Sequence, residues 1–297
     1  MRILLTGASG YLGQKLVSYL LRKGYSLCLL ARENSILNFL HIQKGKYEIV
    51  RYQNENDIGR AINEFFPDII LHTACCYGRS GETDLEVIDS NVRFGLVLIM
   101  HAIDLKKKLT FINIGTALDN SVSLYSKSKN DFAEWGKYYS QSSDSNIDFI
   151  NVKLQQFYGE GDSAEKFPAQ IFQAFFDNDD NVHLTDGYQL RDFIYIEDVL
   201  SGIYAILKRT RDLRGYIDID LGTGVSVSIR EFVEIVSSLV DGDTQACFGA
   251  LKARPNEPLE LKADIEILRS FGWAPSFDLA SGSEAVIKAL SERKEHL

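Results

Sequence analysis

Hydrophobic and polar residues follow two alternating patterns along the first half of the chain. Short apolar runs bounded by turn residues predict β-strands at 2–5, 26–30, 47–52, 69–71, 110–114 and 149–152. The intervening segments have helical periodicity, at 13–23, 58–65, 89–103 and 127–139. Apolar strands separated by helices are typical of repeated strand-helix-strand units, so the pattern predicts an α/β fold with a parallel sheet covered on both faces.

The strict alternation weakens after about residue 154. A loop of Gly, Asp and Ser at 159–163 precedes a predicted helix at 167–176, and a further strand and helix are predicted at 191–196 and 197–207. We therefore expect a Rossmann-type, doubly wound dinucleotide-binding domain and a smaller C-terminal lobe that binds the substrate. The expected boundaries are 1–154 with about 191–213 for the first, and 155–190 with about 214–297 for the second. Ligands of such sheets bind beyond the carboxyl ends of the strands.

Composition and charge exclude several classes of protein. A net charge of −9 argues against a nucleic-acid partner, which would require a basic surface. The first apolar run reaches Thr6 and Gly7 too soon for a signal peptide or a membrane span, so we expect a cytoplasmic protein that does not enter the membrane. Cys28, Cys75, Cys76 and Cys247 form no repeated Cys-x-x-Cys, and the histidines are scattered, so no metal site is predicted.

A glycine-rich loop follows the first predicted strand and opens a helix. Its sequence is Thr6-Gly7-Ala8-Ser9-Gly10-Tyr11-Leu12-Gly13. Backbone N–H groups at a helix N-terminus bind pyrophosphate, and glycine allows the close approach this needs. The loop therefore predicts a dinucleotide site formed by Gly7, Ser9, Gly10, Tyr11, Leu12 and Gly13.

The end of the second predicted strand indicates which dinucleotide is bound. Arg32 stands where an acidic residue would hold the ribose 2′-hydroxyl of NADH, although Glu33 is next to it. Because a guanidinium suits a 2′-phosphate, we predict NADPH in preference to NADH.

Tyr125 and Lys129 are four residues apart in a predicted helix, so their side chains share one face. An ammonium beside a phenol favours the ionised phenol and lowers its pKa from about 10. Such a group is an effective proton donor for reduction at a C–O bond. Thr116 closes the strand at 110–114 through Gly115, where its hydroxyl can point at a substrate carbonyl. Lys127 is offset by two residues and projects away from the tyrosine.

Together these motifs resemble an extended short-chain dehydrogenase/reductase, in the nucleotide-sugar branch of the NAD-dependent epimerase/dehydratase family. The motifs that carry the resemblance are the glycine loop, His72-Thr73-Ala74, Thr116, Tyr125-x-x-x-Lys129, Phe157-Tyr158-Gly159 and the Arg-Asp-Phe run at 191–199. The chain departs from many members at Lys153-Leu154-Gln155-Gln156 and at Glu160. These departures resemble the reductases that make CDP-abequose and CDP-paratose, as do Phe248-Gly249-Ala250, Arg254-x-Asn256-Glu257 and Gly272-Trp273-x-Pro275-x-Phe277.

The resemblance implies an oxidoreductase that reduces the C4 keto group of a nucleoside-diphosphate 4-keto-6-deoxyhexose or 3,6-dideoxyhexose. A CDP-linked substrate in deoxysugar biosynthesis of the O-antigen (lipopolysaccharide) type is implied. By this resemblance Tyr125 donates the proton to the C4 oxygen, Lys129 holds the nicotinamide ribose and lowers the tyrosine pKa, and Thr116 orients the carbonyl. Further cofactor contacts are implied for Thr73, Ala74, Lys153 and Gln156. Further substrate contacts are implied for Tyr77, Arg79, Gln156, Lys166, Phe167, Arg191 and Arg254, the last two arginines clamping the diphosphate.

Two alternative functions remain open at this point. The first is a 4-epimerase or 4,6-dehydratase of the same fold with tightly held NAD; a dehydratase would carry an acidic pair beside Thr116, where this chain has Ala117, Leu118 and a displaced Asp119. The second is a non-catalytic dinucleotide sensor, which would be expected to lose Tyr125 or Lys129.

The resemblance also implies a homodimer. In the family the helices corresponding to 89–103 and 127–139 pair as a four-helix bundle, and Phe132, Trp135 and Tyr139 would suit such a face. The alternative is that this apolar stripe packs against the protein's own sheet.

Overall fold

The computed structural model describes residues 1–42, 45–253 and 255–295, so the predicted substrate residue Arg254 lies outside the described residues. The strands are β1 Arg2–Thr6, β2 Ser26–Arg32, β3 Tyr47–Tyr52, β4 Ile69–His72, β5 Leu109–Ile114, β6 Ile147–Leu154, β7 Gln156–Tyr158, β8 Asn181–His183, β9 Leu190–Arg191, β10 Phe193–Tyr195, β11 Tyr216–Leu221, β12 Val227–Ser228, β13 Gln245–Cys247 and β14 Glu260–Leu261. The helices are α1 Tyr11–Arg22, α2 Glu55–Phe65, α3 Asp84–Ile88, α4 Phe94–Asp104, α5 Leu124–Ser140, α6 Phe167–Asp177, α7 Ile196–Arg209, α8 Ile229–Ser238, α9 Glu266–Ser270 and α10 Leu279–Glu295. None of the described helices combines the length and apolarity that crossing a bilayer requires.

The main sheet has seven strands in the order β11-β6-β5-β4-β1-β2-β3. The pairings of β1 with β2 and with β4, and those of β2 with β3, β4 with β5 and β5 with β6, are all parallel. The strand order reverses at β1, which has β2 on one side and β4 on the other. The predicted Rossmann-type fold is therefore confirmed, and the switch point where such sheets bind ligands lies beyond the ends of β1 and β4.

Helix α5, which carries Tyr125 and Lys129, lies unusually close to the sheet. A capping box between Ser123 and Ser126 starts the helix. At Gly136 an added Cβ would lie 2.2 Å from the ring of Phe149, so only glycine allows this approach. Phe149 in turn stacks on Phe111 at 5.2 Å. These contacts fix the height of α5 above the strands.

The predicted helix at 89–103 is interrupted in the structure. Residues Asp89–Arg93 form a π-helical turn between α3 and α4, and the buried side chain of Asn91 lies in this turn. Single π-turns inside helices are frequent at functional sites. The periodicity of the sequence gave no sign of this irregularity.

Two compact units divide the chain. Unit 1 comprises Met1–Lys153 and Ile206–Ile219, and unit 2 comprises Leu154–Ala205 and Asp220–Leu297. Residues 191–205, which the sequence analysis placed in the first domain, belong to unit 2. Two contacts explain the difference: the Asp198 carboxylate accepts hydrogen bonds of 2.9 Å from the N–H groups of Ser276 and Phe277, and Trp273 Nε1 donates to Ser201 Oγ at 2.8 Å.

Candidate active site

The glycine loop after β1 forms a cradle that side chains would fill. Gly7 has a φ of +75°, and a Cβ there would lie 2.6 Å from Ala74 N. A Cβ at Gly13 would lie 2.1 Å from Gly7 O. Gly10 is the N-cap of α1, where no side chain caps the first turn and no acidic residue lies in it. The first N–H groups of α1 are therefore available to an anion, as a dinucleotide pyrophosphate requires.

The end of β4 is tied to β1 beside this loop. Thr73 Oγ1 donates to Thr6 O at 2.7 Å, and Thr6 Oγ1 is 2.8 Å from His72 Nδ1. Burial and the charge of Lys129 both lower the pKa of His72, so its ring is neutral. Thr73 and Ala74 thus have fixed positions at the switch point of the sheet.

Tyr125, Thr116 and Tyr77 come together at the start of α5. Tyr125 has side-chain hydrogen bonds with both Thr116 and Tyr77. The rings of Tyr77 and Tyr125 stack with their centroids 4.7 Å apart and 26° between their planes. The structure therefore joins the predicted proton donor to the predicted carbonyl-orienting hydroxyl, and adds a second phenol to them.

Burial dominates the protonation of Tyr125. Desolvation raises its pKa and the nearby Cys75 thiol adds to this, whereas the charge of Arg79 and the hydrogen bonds lower it. The cation that acts on Tyr125 here is Arg79. The charge of Lys129 instead lowers the pKa of His72. Lys127, the rival lysine, pairs with Asp131 on the helix surface.

Lys129 is buried with 1% of its surface exposed, and Nζ has no hydrogen-bond partner among the residues that the structure describes. Desolvation lowers its pKa. An unpaired buried ammonium is costly unless a ligand completes its hydrogen bonds. Ribose hydroxyls of a dinucleotide would do so, and together with the glycine cradle the residues present fit such a cofactor.

The turn after β2 is held by an arginine that the sequence analysis missed. Arg51 on β3 donates through one nitrogen to the carbonyl oxygens of Arg32 at 3.2 Å, Glu33 at 2.5 Å and Ser35 at 3.1 Å. Arg32 itself is exposed, and the described residues offer it no ion pair. Its guanidinium is therefore available to a ligand. The role of Arg51 could not be read from the sequence, because only the pairing of β2 with β3 brings its side chain to this turn.

Lys153, predicted to contact the cofactor, already has a carboxylate partner. Its Nζ lies 3.0 Å from Asp218 Oδ2. Asp218 also accepts hydrogen bonds from Asn151 Nδ2 at 2.8 Å and from the Tyr216 hydroxyl at 2.7 Å. The ion pair therefore anchors the end of β6 to β11.

Unit 2 carries the other predicted substrate residues, apart from Tyr77, Arg79 and Thr116 of unit 1. Arg191 Nη2 lies 2.8 Å from Glu257 Oε1, with only 5% of the arginine side chain exposed. Lys166 Nζ pairs with Asp162 at 3.0 Å and lies 4.0 Å from the centre of the Phe157 ring. Lys166 and Arg191, the two predicted cations of unit 2 that the structure describes, are thus both paired with carboxylates.

Gln156 and Phe167, the other two predicted residues of unit 2 that the structure describes, contact residues of the same unit. Gln156 lies on β7 and its N–H donates to Asp192 O at 3.2 Å. Phe167 begins α6, with its ring 5.8 Å from that of Phe232.

A model of the NAD dependent epimerase/dehydratase family matches residues 3–222. The chain belongs to this family. Among its relatives, a CDP-abequose synthase of Salmonella muenchen is 30% identical, with the match covering 96% of this chain and 97% of that protein. A CDP-abequose synthase of Salmonella typhimurium is 29% identical, covering 97% and 98%.

Solved structures of the epimerase/dehydratase family share the fold. MoeE5 in complex with UDP-glucose and NAD has a TM-score of 0.85 and 20% identity, and the match covers 99% of this chain and 100% of MoeE5. The family predicted from the motifs is therefore confirmed, together with its α/β fold.

Proposed function

We propose that this protein uses NADPH to reduce the C4 keto group of a nucleoside-diphosphate 4-keto-6-deoxyhexose or its 3,6-dideoxy analogue, CDP-linked, in deoxysugar biosynthesis of the O-antigen type. The observation that carries the proposal is the Tyr125–Thr116 hydrogen bond one helical turn from the buried, unpartnered ammonium of Lys129. The similarity to CDP-abequose synthases supports a CDP-linked sugar.

The proposed chemistry adds a hydride and a proton across one C=O bond. NADPH, when bound, supplies the hydride to C4. Thr116 donates to the carbonyl oxygen and orients it, and Tyr125 transfers its phenolic proton to that oxygen as the alcohol forms. Lys129 would hold ribose hydroxyls of the cofactor, and the positive charge that favours proton loss from Tyr125 is that of Arg79.

NADPH is the proposed cofactor because of the turn after β2. Arg51 fixes the backbone of this turn through three carbonyl oxygens, and Arg32 extends from it without an ion-pair partner in the described part of the chain. A guanidinium free of carboxylates suits a 2′-phosphate, whereas a ribose 2′-hydroxyl calls for an acceptor.

Asp119 argues against 4,6-dehydration as the net reaction. Its carboxylate accepts hydrogen bonds from Ser121 N at 2.9 Å and Ser121 Oγ at 2.8 Å. These hydrogen bonds lower the pKa of Asp119 and keep its carboxylate ionised. The bond from Ser121 N has the larger effect. An ionised carboxylate that closes its own turn is a poor proton donor for the elimination of water.

A homodimer is proposed from the exposed face of α4 and α5. Trp135 and Tyr138 on α5 are 44% and 68% exposed, and Met100 on α4 is 57% exposed. Phe132, predicted for this face, is fully buried against the sheet, so the face is smaller than expected. Sedimentation of the wild type as a dimer and of Tyr138→Arg as a monomer would support this arrangement; a monomeric wild type would exclude it.

We propose a cytoplasmic location for the reaction.

The decisive experiment incubates the protein with NADPH and a panel of 4-keto sugar nucleotides bearing different bases. We expect one NADPH oxidised per product formed, with the CDP-linked substrate turned over fastest and a new C4 hydroxyl identified by NMR. Interconversion of C4 epimers without net NADPH oxidation would identify an epimerase. Tight NADPH binding without any turnover of the panel would favour a dinucleotide sensor.

A further inference from the structure

The segment 75–82 after β4 is connected to helix α5 through the side chain of Asn91. Asn91, buried in the π-helical turn, accepts from Cys76 N at 2.7 Å and donates to Cys76 O at 2.8 Å. The same amide nitrogen donates to Ser128 Oγ at 2.9 Å, and Ser128 Oγ donates to Tyr125 O at 3.0 Å. One buried side chain thus fixes both the segment and the first turn of α5.

The Glu82 carboxylate keeps the far part of the segment folded. Glu82 Oε2 accepts from Ser80 N at 2.8 Å, and the Glu82 side chain also has a hydrogen bond with the Cys76 thiol. Gly78 has a φ of +65°, which allows the tight reversal between these contacts. The backbone that carries Tyr77 and Arg79 is therefore held by hydrogen bonds before and after these two residues.

Arg79, Tyr77 and Tyr125 follow one another in space. The guanidinium carbon of Arg79 lies 5.6 Å from the centre of the Tyr77 ring, within cation–π range. That ring in turn stacks on Tyr125 at 4.7 Å. The sequence resemblance implied only contacts with the sugar for Tyr77 and Arg79, whereas here both residues act on the proposed proton donor.

We propose that Tyr77 and Arg79 are positioning residues for Tyr125: the stacked ring of Tyr77 fixes the direction of the Tyr125 hydroxyl, and Arg79, held against the Tyr77 ring, adds positive charge to its surroundings. This inference rests on the proposed reduction for its catalytic meaning, but its geometry does not depend on the substrate. Both residues belong to a segment that Asn91 couples to α5, so the pair moves with the catalytic helix.

The charged and titratable groups around Tyr125 determine whether the loss of Arg79 raises or lowers the pKa of Tyr125. Cys75 raises the pKa of Tyr125, as burial does, and Arg79 lowers it. Lys129 on the same helix faces Cys75 and His72. Because Arg79 favours the phenolate, its removal raises the pKa of Tyr125. Reduction needs the protonated phenol, so activity in the reductive direction then extends to higher pH.

The test uses protein with ¹³C-labelled tyrosine rings, in which the resonance missing from Tyr125→Phe identifies Tyr125. At neutral pH without ligand, Tyr77→Leu removes the stacked ring and should shift this resonance, while Tyr77→Phe keeps the ring and should leave it nearly unchanged. In the NADP⁺ complex, Arg79→Gln should raise the titration midpoint of Tyr125 by about half a pH unit to one pH unit. Arg79→Lys should restore most of the shift, and Arg60→Gln, an exposed arginine on α2, should cause none.

Kinetics supply the second readout. With the sugar nucleotide that the panel identifies, Tyr77→Leu should lower kcat about 10-fold with an unchanged KM for NADPH, and the basic limb of the Arg79→Gln profile should move up with the midpoint. An unshifted Tyr125 resonance in Tyr77→Leu, or an unshifted midpoint in Arg79→Gln, would overturn the inference even if the enzyme reduces the sugar. If no sugar is reduced, the NMR results still decide it.

Discussion

Lys129 and the glycine loop of unit 1 differ from the described substrate-binding cations predicted in unit 2 in whether they already have partners. Lys153 of unit 1, paired with Asp218, resembles the second set. In unit 1, Lys129 Nζ has no hydrogen bond among the described residues, and the N–H groups of α1 have no side-chain cap. In unit 2, Arg191 is paired with Glu257 and Lys166 with Asp162. A dinucleotide bound at the proposed site in unit 1 would thus meet groups without partners, whereas a diphosphate at Arg191 would displace a carboxylate.

This difference has an energetic meaning. Unsatisfied groups in unit 1 lower the stability of the ligand-free protein and return that free energy on binding. Paired groups in unit 2 cost less in the free protein than unpaired ones would, but they reduce the net gain when an anion binds, since one ion pair replaces another. Single substitutions of the unpartnered groups in unit 1 and of the ion-paired groups in unit 2 should therefore have different effects on stability and on ligand binding.

Tyr125→Phe should have the largest effect, because it removes the only proposed proton donor. We expect kcat for the keto sugar nucleotide to fall by about 10³-fold while the Kd for NADPH changes by less than about threefold. Steady-state kinetics and fluorescence titration of NADPH measure the two quantities. Tyr47→Phe, a half-buried tyrosine on β3, serves as the control. Unchanged turnover in Tyr125→Phe would end the catalytic proposal.

Lys129→Met tests the unpartnered ammonium directly and should act in opposite directions on binding and stability. NADPH affinity should fall by about 10- to 100-fold, while the ligand-free protein should gain about 1–3 kcal/mol in free energy of unfolding. Because burial lowers the pKa of Lys129, the unfolded chain binds more protons, and this gain should shrink as pH rises towards the ordinary lysine pKa of about 10.4. Urea denaturation at several pH values measures it; a loss of stability would mean that the ammonium has a partner.

Arg32→Ser sharpens the cofactor assignment within unit 1. The preference for NADPH over NADH, taken as the ratio of kcat/KM values, should fall by about 10- to 100-fold, because the guanidinium no longer meets the 2′-phosphate. Arg22→Ser removes an exposed arginine at the end of α1 and should leave the ratio unchanged. A wild-type enzyme that prefers NADH would contradict the assignment from the start.

Glu257→Gln should have the smallest effect, confined to unit 2. With the competing carboxylate removed, CDP and the CDP-sugar should bind about 3- to 10-fold more tightly, while the Kd for NADPH stays the same. Glu266→Gln, which loses only a surface ion pair with Arg269, is the matched control. Weaker binding in Glu257→Gln, measured by calorimetry with CDP, would mean that Glu257 orients Arg191 for the substrate.

The sequence predicted the parts of the fold and site whose signals are local. Apolar runs identified the first six strands, and the sequence around Tyr125 and Lys129 correctly predicted that both lie on one helix, because both signals lie within a few residues. The pairing of Lys153 with Asp218 and that of Arg191 with Glu257 join residues about 65 apart, and no periodicity reports such contacts.

Helix α5 shows the limit of periodicity most clearly. Aromatic residues occur on both of its faces, so the pattern could not separate Phe132, which is fully buried, from Trp135, which is 44% exposed. The coupling of Cys76 to Ser128 through Asn91 was equally hidden. This coupling depends on a π-helical turn that no residue type indicates, because the apolar spacing of the segment is that of a regular helix.

The close approach at Gly136 also constrains how the chain can change over time. Gly136 lies eleven residues after Tyr125, about 16 Å along the helix, yet a methyl group there would meet Phe149 and lift the whole rod. A substitution remote from the chemistry would therefore register as an activity defect. Libraries that randomise positions 136 and 149 together should recover compensating pairs.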